Sequence, residues 1–155
     1  MKIIKAARPF LFVVSALNAL AGLICGVLLI AAPDGSLMAA GELLPVVATF
    51  PLAYLFFQDL RWIGIAMLLV LWIPNELAVL ALWFKHRLQY TVVVITNIAM
   101  MLWCTFQFIF MFNWLAVVYF VLGALMVIAA IYLSRRADVD SSGHSPPSLK
   151  SREGY

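Results

Sequence analysis

Four apolar runs, each long enough to cross a bilayer, leave this chain very few folds. They cover about residues 10–32, 62–84, 90–112 and 115–133. A helix rises about 1.5 Å per residue, so roughly 20 residues traverse a hydrocarbon core of about 30 Å. Backbone amides in hydrocarbon must bond within their own segment, which makes each run a helix. The composition agrees, because 66% hydrophobic and 11% charged residues lie far from the mix of a soluble domain. The chain therefore reads as an all-α membrane protein, with four transmembrane helices in an up-down bundle over residues 1–136. Residues 137–155, rich in Ser, Pro, Gly and charge, read as a disordered cytoplasmic tail. The first run exceeds the 7–15 apolar residues of a signal-peptide core and reads as an uncleaved span.

Orientation follows from the cations. Of ten Lys and Arg residues, only Arg61 lies outside the N-terminal segment, the Lys85-His86-Arg87 connection and the C-terminal tail. The positive-inside rule then puts both termini in the cytoplasm. The long outer connection opens with turn chemistry at Pro33-Asp34-Gly35-Ser36. Its second half, 43–57, is apolar but holds Pro45 and Pro51 and is too short to cross. It is expected to lie at the interface or fold back over the bundle, with a short interfacial helix starting at Thr49-Phe50-Pro51. The pI near 9 reflects membrane-flanking cations, and no basic face with stacking aromatics points to nucleic acid.

The costly residues sit inside the spans. Glu76, nine residues before Lys85, lies about 13 Å deep; Asn97 lies about 10 Å deep and Asn18 about 13 Å. Three spans thus place a polar side chain at one level. An ionised carboxylate there costs at least ~2.5–3.5 kcal/mol, so Glu76 is expected to face the bundle and find donors on Asn18 and Asn97. Asn75 serves a neighbouring face. Pro74 has no amide hydrogen and leaves the Val70 carbonyl without its usual partner. Trp72, one turn from Glu76, and Trp103 at similar depth are candidates for an aromatic pocket over the acid. Gly22 and Gly26 share a face with Asn18 and permit close helix approach, either within the bundle or in a homo-oligomer.

No CxxC pair or Cys/His cluster has zinc spacing, so neither metal nor cofactor is expected. Cys25 and Cys104 read as buried hydrophobes, with a disulfide left open. No nucleophile with a base and no phosphate-cradling glycine loop is present, which makes an enzyme the less favoured reading.

The stretch Pro33-Asp34-Gly35-Ser36-Leu37, then Phe57-Gln58-Asp59-Leu60, Ile63-Gly64-Ile65 and Asn75, resembles a group of uncharacterised small four-span bacterial membrane proteins. The resemblance covers about a third of the chain. It implies a bacterial cytoplasmic membrane and a four-helix bundle, and it implies no activity. Glu76 is outside its pattern. Small multidrug resistance transporters also have four spans and a lone membrane carboxylate, but theirs belongs in the first span, where this chain has Asn18.

The leading expectation is a non-enzymatic protein acting by contacts with membrane lipid, a hydrophobic small molecule or another protein. The alternatives are a proton-coupled carrier of a lipophilic cation using Glu76, and a membrane enzyme on lipid-like or sterol-like substrates.

Overall fold

A computed structural model describes residues 2–50, 53–56, 58–110 and 112–142. Met1, Pro51, Leu52 and Phe57 of the outer connection, Met111 and the tail from 143 onward lie outside these residues. Helix α1 runs Lys2–Ala31. After two 3-10 turns, at Ser36–Met38 and Gly41–Leu43, come the one-turn helices α2 (Leu44–Val47) and α3 (Ala53–Phe56). The second span is composite: α4 (Arg61–Met67), a π-helical turn (Leu68–Trp72) and α5 (Ile73–Trp83). Helices α6 (Gln89–Phe110) and α7 (Trp114–Ser142) complete the set. Four helical stretches, 7–31, 61–83, 89–110 and 114–137, are long and apolar enough to cross a membrane. An all-α, four-span bundle is the fold, and it is a multi-pass membrane architecture.

Differences from the sequence reading lie at the ends. Helix α7 continues through Ala137 to Ser142, past the Arg136 limit. Its Arg136 guanidinium sits 5.2 Å from the ring centre of Tyr132, one turn back, and Arg and Ala are strong helix formers even in water. Helix α1 begins at Lys2, with Pro9 inside it.

Small residues set how the first two spans pack. A methyl group added at Gly22 would stand 2.7 Å from both the Leu71 Cβ and the Trp72 backbone nitrogen. Gly26 and Gly64 face each other, each with the other's carbonyl oxygen within 2.9 Å of a would-be Cβ. The Gly22/Gly26 face is therefore spent inside the bundle.

Pro74 explains the π turn. Lacking an N–H, it cannot continue the α ladder, and its ring crowds the carbonyl one turn back. The chain widens just ahead of it, and the Ile73 N–H reaches back five residues to the Leu68 carbonyl.

The outer connection folds back over one end of the bundle. Val47, Phe50 and Leu60 are buried with Leu29 and Ile63, against Trp103 and Phe106. The Leu60 N–H donates to the Pro33 carbonyl at 2.9 Å and closes the loop. At its start the Ser36 N–H and hydroxyl both donate to Asp34 Oδ1, at 3.1 and 2.8 Å. These bonds hold the Asp34 carboxyl below its ordinary range. The turn keeps that contribution at neutral pH and loses it only as pH falls through the lowered value.

Candidate functional site

The polar layer is present, with a different membership from the sequence reading. Between an apolar cluster around Leu11, Ala78, Leu82, Val93 and Met126 and the cluster under the outer connection, five polar side chains are buried: Ser15, Asn18, Asn75, Thr96 and Asn97. Asn75 and Asn97 are completely enclosed, at 0% exposure. The amides bond mainly to their own helices: Asn75 Nδ2 donates to the Leu71 carbonyl and Asn97 Nδ2 to the Val93 carbonyl, both at 2.8 Å. Within the layer, among the described residues, two contacts join different spans. Thr96 Oγ1 donates to the Pro74 carbonyl at 3.0 Å, and Asn18 Nδ2 points at the Met100 sulfur at 3.8 Å. The proline-disturbed stretch is thus tied down by an amide one turn on and a hydroxyl from α6. Three oxygens of the layer, Ser15 Oγ, Asn75 Oδ1 and Asn97 Oδ1, have no hydrogen-bond partner.

Glu76 does not belong to this layer. Its side chain is exposed on the outer face of α5, so neither Asn18 nor Asn97 supplies it with a hydrogen. Consecutive residues on an α-helix point about 100° apart, and α5 buries Asn75, Ala78 and Leu82. Burying Asn75 turns Glu76 outward. An ionised carboxylate facing hydrocarbon at that depth costs ~2.5–3.5 kcal/mol or more.

Trp103 belongs to an aromatic group under the outer connection. Trp103 stacks on Phe106, with ring centres 5.4 Å apart and planes 17° from parallel, in an aromatic group that continues through Phe50 and Phe110. It also lines a small internal cavity of about 50 Å³ with Met100, Cys104, Gln107 and Tyr119. Trp72 and Glu76 are not among the residues lining that cavity. Both cysteines are free thiols.

Ser15 and Thr96 went unread in the sequence. Hydroxyls are cheap in a helix because they can bond to its own carbonyls, so only their proximity to Asn18 and Asn97 could have marked them.

The larger openings lie where the connection Lys85-His86-Arg87 joins the helices. A crevice of about 420 Å³ separates α1 from the end of α5, lined by Arg8, Pro9, Phe12, Leu82, Trp83 and Lys85. Two aromatic rings line it, Phe12 and the exposed Trp83, with centres 5.8 Å apart. Among the described residues, two cations and no carboxylate line it. A second crevice of about 270 Å³ opens at the same end between α6 and α7, lined in part by Tyr90, Ser134 and Arg135.

The first crevice is held by a particular helix ending. His86 N–H donates to the Ala81 carbonyl at 3.0 Å and Lys85 N–H to the Leu82 carbonyl at 3.4 Å, the paired bonds of a Schellman ending. Arg8 Nη2 also donates to the Leu82 carbonyl. Such an ending favours glycine at the left-handed position, yet Lys85 occupies it with φ of 51°. A side chain there costs about 1–2 kcal/mol.

Compared with known proteins, the chain matches no family model, no curated protein and no solved structure.

Proposed function

We propose that this is a non-enzymatic multi-pass membrane protein that acts by holding lipid, and that the Arg8/Lys85 crevice is where it does so. The observation that carries this reading is an amphipathic opening at the end of two membrane helices, lined by two cations and two aromatic rings. An anionic phospholipid fits that chemistry: its phosphate lies between Arg8 and Lys85 and its acyl chain runs along Phe12 and Trp83. Each Lys or Arg near an anionic membrane surface is worth about 1 kcal/mol. The excess of Lys and Arg at this end supports a cytoplasmic placement for both termini. Together with the resemblance to small four-span bacterial proteins, that favours the inner membrane of a bacterium.

Carrier and enzyme readings both need Glu76 to open on a cavity, and none of the three crevices described includes it among its lining residues.

The test uses the strained position. Lys85→Gly is expected to raise the thermal midpoint in neutral detergent, because it relieves left-handed strain of about 1 kcal/mol. The same change is expected to shrink the extra stabilisation given by an anionic phospholipid over a zwitterionic one, read as the difference in midpoint between the two. Arg8→Gln should shrink that difference too, while lowering the midpoint itself through the lost bond to the Leu82 carbonyl. Equal stabilisation of the unaltered protein by anionic and zwitterionic lipid would remove the proposal.

A further inference from the structure

We infer that one internal water molecule is held where α1, α5 and α6 meet, bonded to Ser15, Asn75 and Asn97. Those three side chains are fully enclosed, each at 0% exposure, and Ser15 Oγ, Asn75 Oδ1 and Asn97 Oδ1 find no partner among the described residues. The packing brings them together. Leu11, Ala78 and Val93, one from each of the three helices, belong to a single buried cluster. Ser15 is four residues beyond Leu11 on α1, Asn97 four beyond Val93 on α6, and Asn75 three before Ala78 on α5. Each step is one turn along the same helix face. The steps also point toward the same end of the bundle, because the second span is antiparallel to both neighbours. It passes Arg8 with Leu82 and Gly22 with Leu71; on its other side Ala78 shares a cluster with Val93, and Pro74 bonds to Thr96. The three oxygens thus form the layer stacked on that cluster.

What these oxygens need is a donor. Each amide nitrogen is committed to a carbonyl of its own helix, Leu71 for Asn75 and Val93 for Asn97, and turning either amide over would set its oxygen against that carbonyl. Thr96 spends its hydrogen on the Pro74 carbonyl, and Asn18 Nδ2 is turned to the Met100 sulfur. Among the buried polar side chains described, that leaves the Ser15 hydroxyl, with one hydrogen for two carboxamide oxygens. A water molecule completes the set. It donates one hydrogen to Asn75 Oδ1 and the other to Asn97 Oδ1, and it accepts the hydrogen of the Ser15 hydroxyl. About three bonds, to groups otherwise unsatisfied, is what a buried water makes. A sodium ion also suits oxygen ligands, but it would bring a charge among five buried polar side chains that include no acid, and an uncompensated charge is costly in hydrocarbon. The water gives the two amides a role between spans. Their direct bonds stay within their own helices, whereas the three bonds of the water join α1, α5 and α6 beside the π turn.

This inference is independent of the lipid crevice. Its test is nuclear magnetisation transfer from water to the side-chain amides of the full chain, labelled with heavy nitrogen at asparagine, in nanodiscs of deuterated lipid. Cross-peaks at the water frequency are expected at both Asn75 and Asn97, with the sign of a water that tumbles with the protein. Asn75→Leu and, separately, Ser15→Val should abolish the cross-peak at Asn97 while its amide resonance remains. In the unaltered chain, no cross-peak at either amide, or a cross-peak at one alone, would overturn the inference. So would a cross-peak at Asn97 that survives either substitution. Exchanging potassium for sodium at constant ionic strength should leave the Asn75 and Asn97 resonances in place; a shift of both that saturates with sodium would overturn the inference in favour of a bound cation. The cross-peaks and the sodium titration of the unaltered chain stand even where a variant fails to fold.

Discussion

One methyl group added at Gly22 is expected to lower the stability of the bundle by about 1–3 kcal/mol, the usual cost of overpacking a filled site. The new Cβ would meet the backbone nitrogen of Trp72 and the Cβ of Leu71, both at 2.7 Å. Neither is the free end of a flexible side chain, so α1 has to move away from the π turn. Gly41→Ala is the control, because the nearest atom to its added carbon is the Asp34 carbonyl at 3.4 Å, an ordinary contact. Thermal unfolding in one detergent should show a clear drop for Gly22→Ala and almost none for Gly41→Ala. Gly26→Ala and Gly64→Ala press on the same contact from opposite sides and should combine non-additively.

The second large effect separates two neighbours. Asn75→Leu is expected to cost about 1–3 kcal/mol, since it forces a bulkier side chain into a fully enclosed site and strips the Leu71 carbonyl of its amide donor. Glu76→Leu, one residue on, should leave the midpoint of the detergent-solubilised protein unchanged or higher, because it alters only the outer face. Asn97→Leu should behave like Asn75→Leu. Similar losses at positions 75 and 76 would mean that both side chains face inward, contrary to the packing of α5.

These two neighbours also mark how far the sequence could be read. Span number and length were legible because bilayer thickness and helix rise together fix the residue count. The asparagines Asn18 and Asn97, picked out by counting depth, are buried in the bundle, as is Asn75, whereas Glu76, counted to the same level, is exposed. Direction around the helix axis was not legible. It depends on angle accumulated residue by residue, and the π turn at Leu68–Trp72 interrupts the regular step just before Asn75 and Glu76. An argument from cost alone assigned the carboxylate to the interior, whereas the packed interior took the smaller amide. The outer connection was ambiguous for a different reason. Val47, Phe50 and Leu60 are apolar enough to suit either a membrane surface or the end of the bundle, and only tertiary contacts with Leu29 and Ile63 decide between them. The crevice at Arg8 was hidden because its walls come from residues some 75 positions apart.

The folded-back connection gives the molecule a polarity of its own. Phe50 and Leu60 plug one end, while the other end opens sideways through gaps between helices. On the lipid reading proposed above, both crevices described take molecules from the leaflet at the Lys85 end, so a population inserted in one orientation would report the composition of that leaflet.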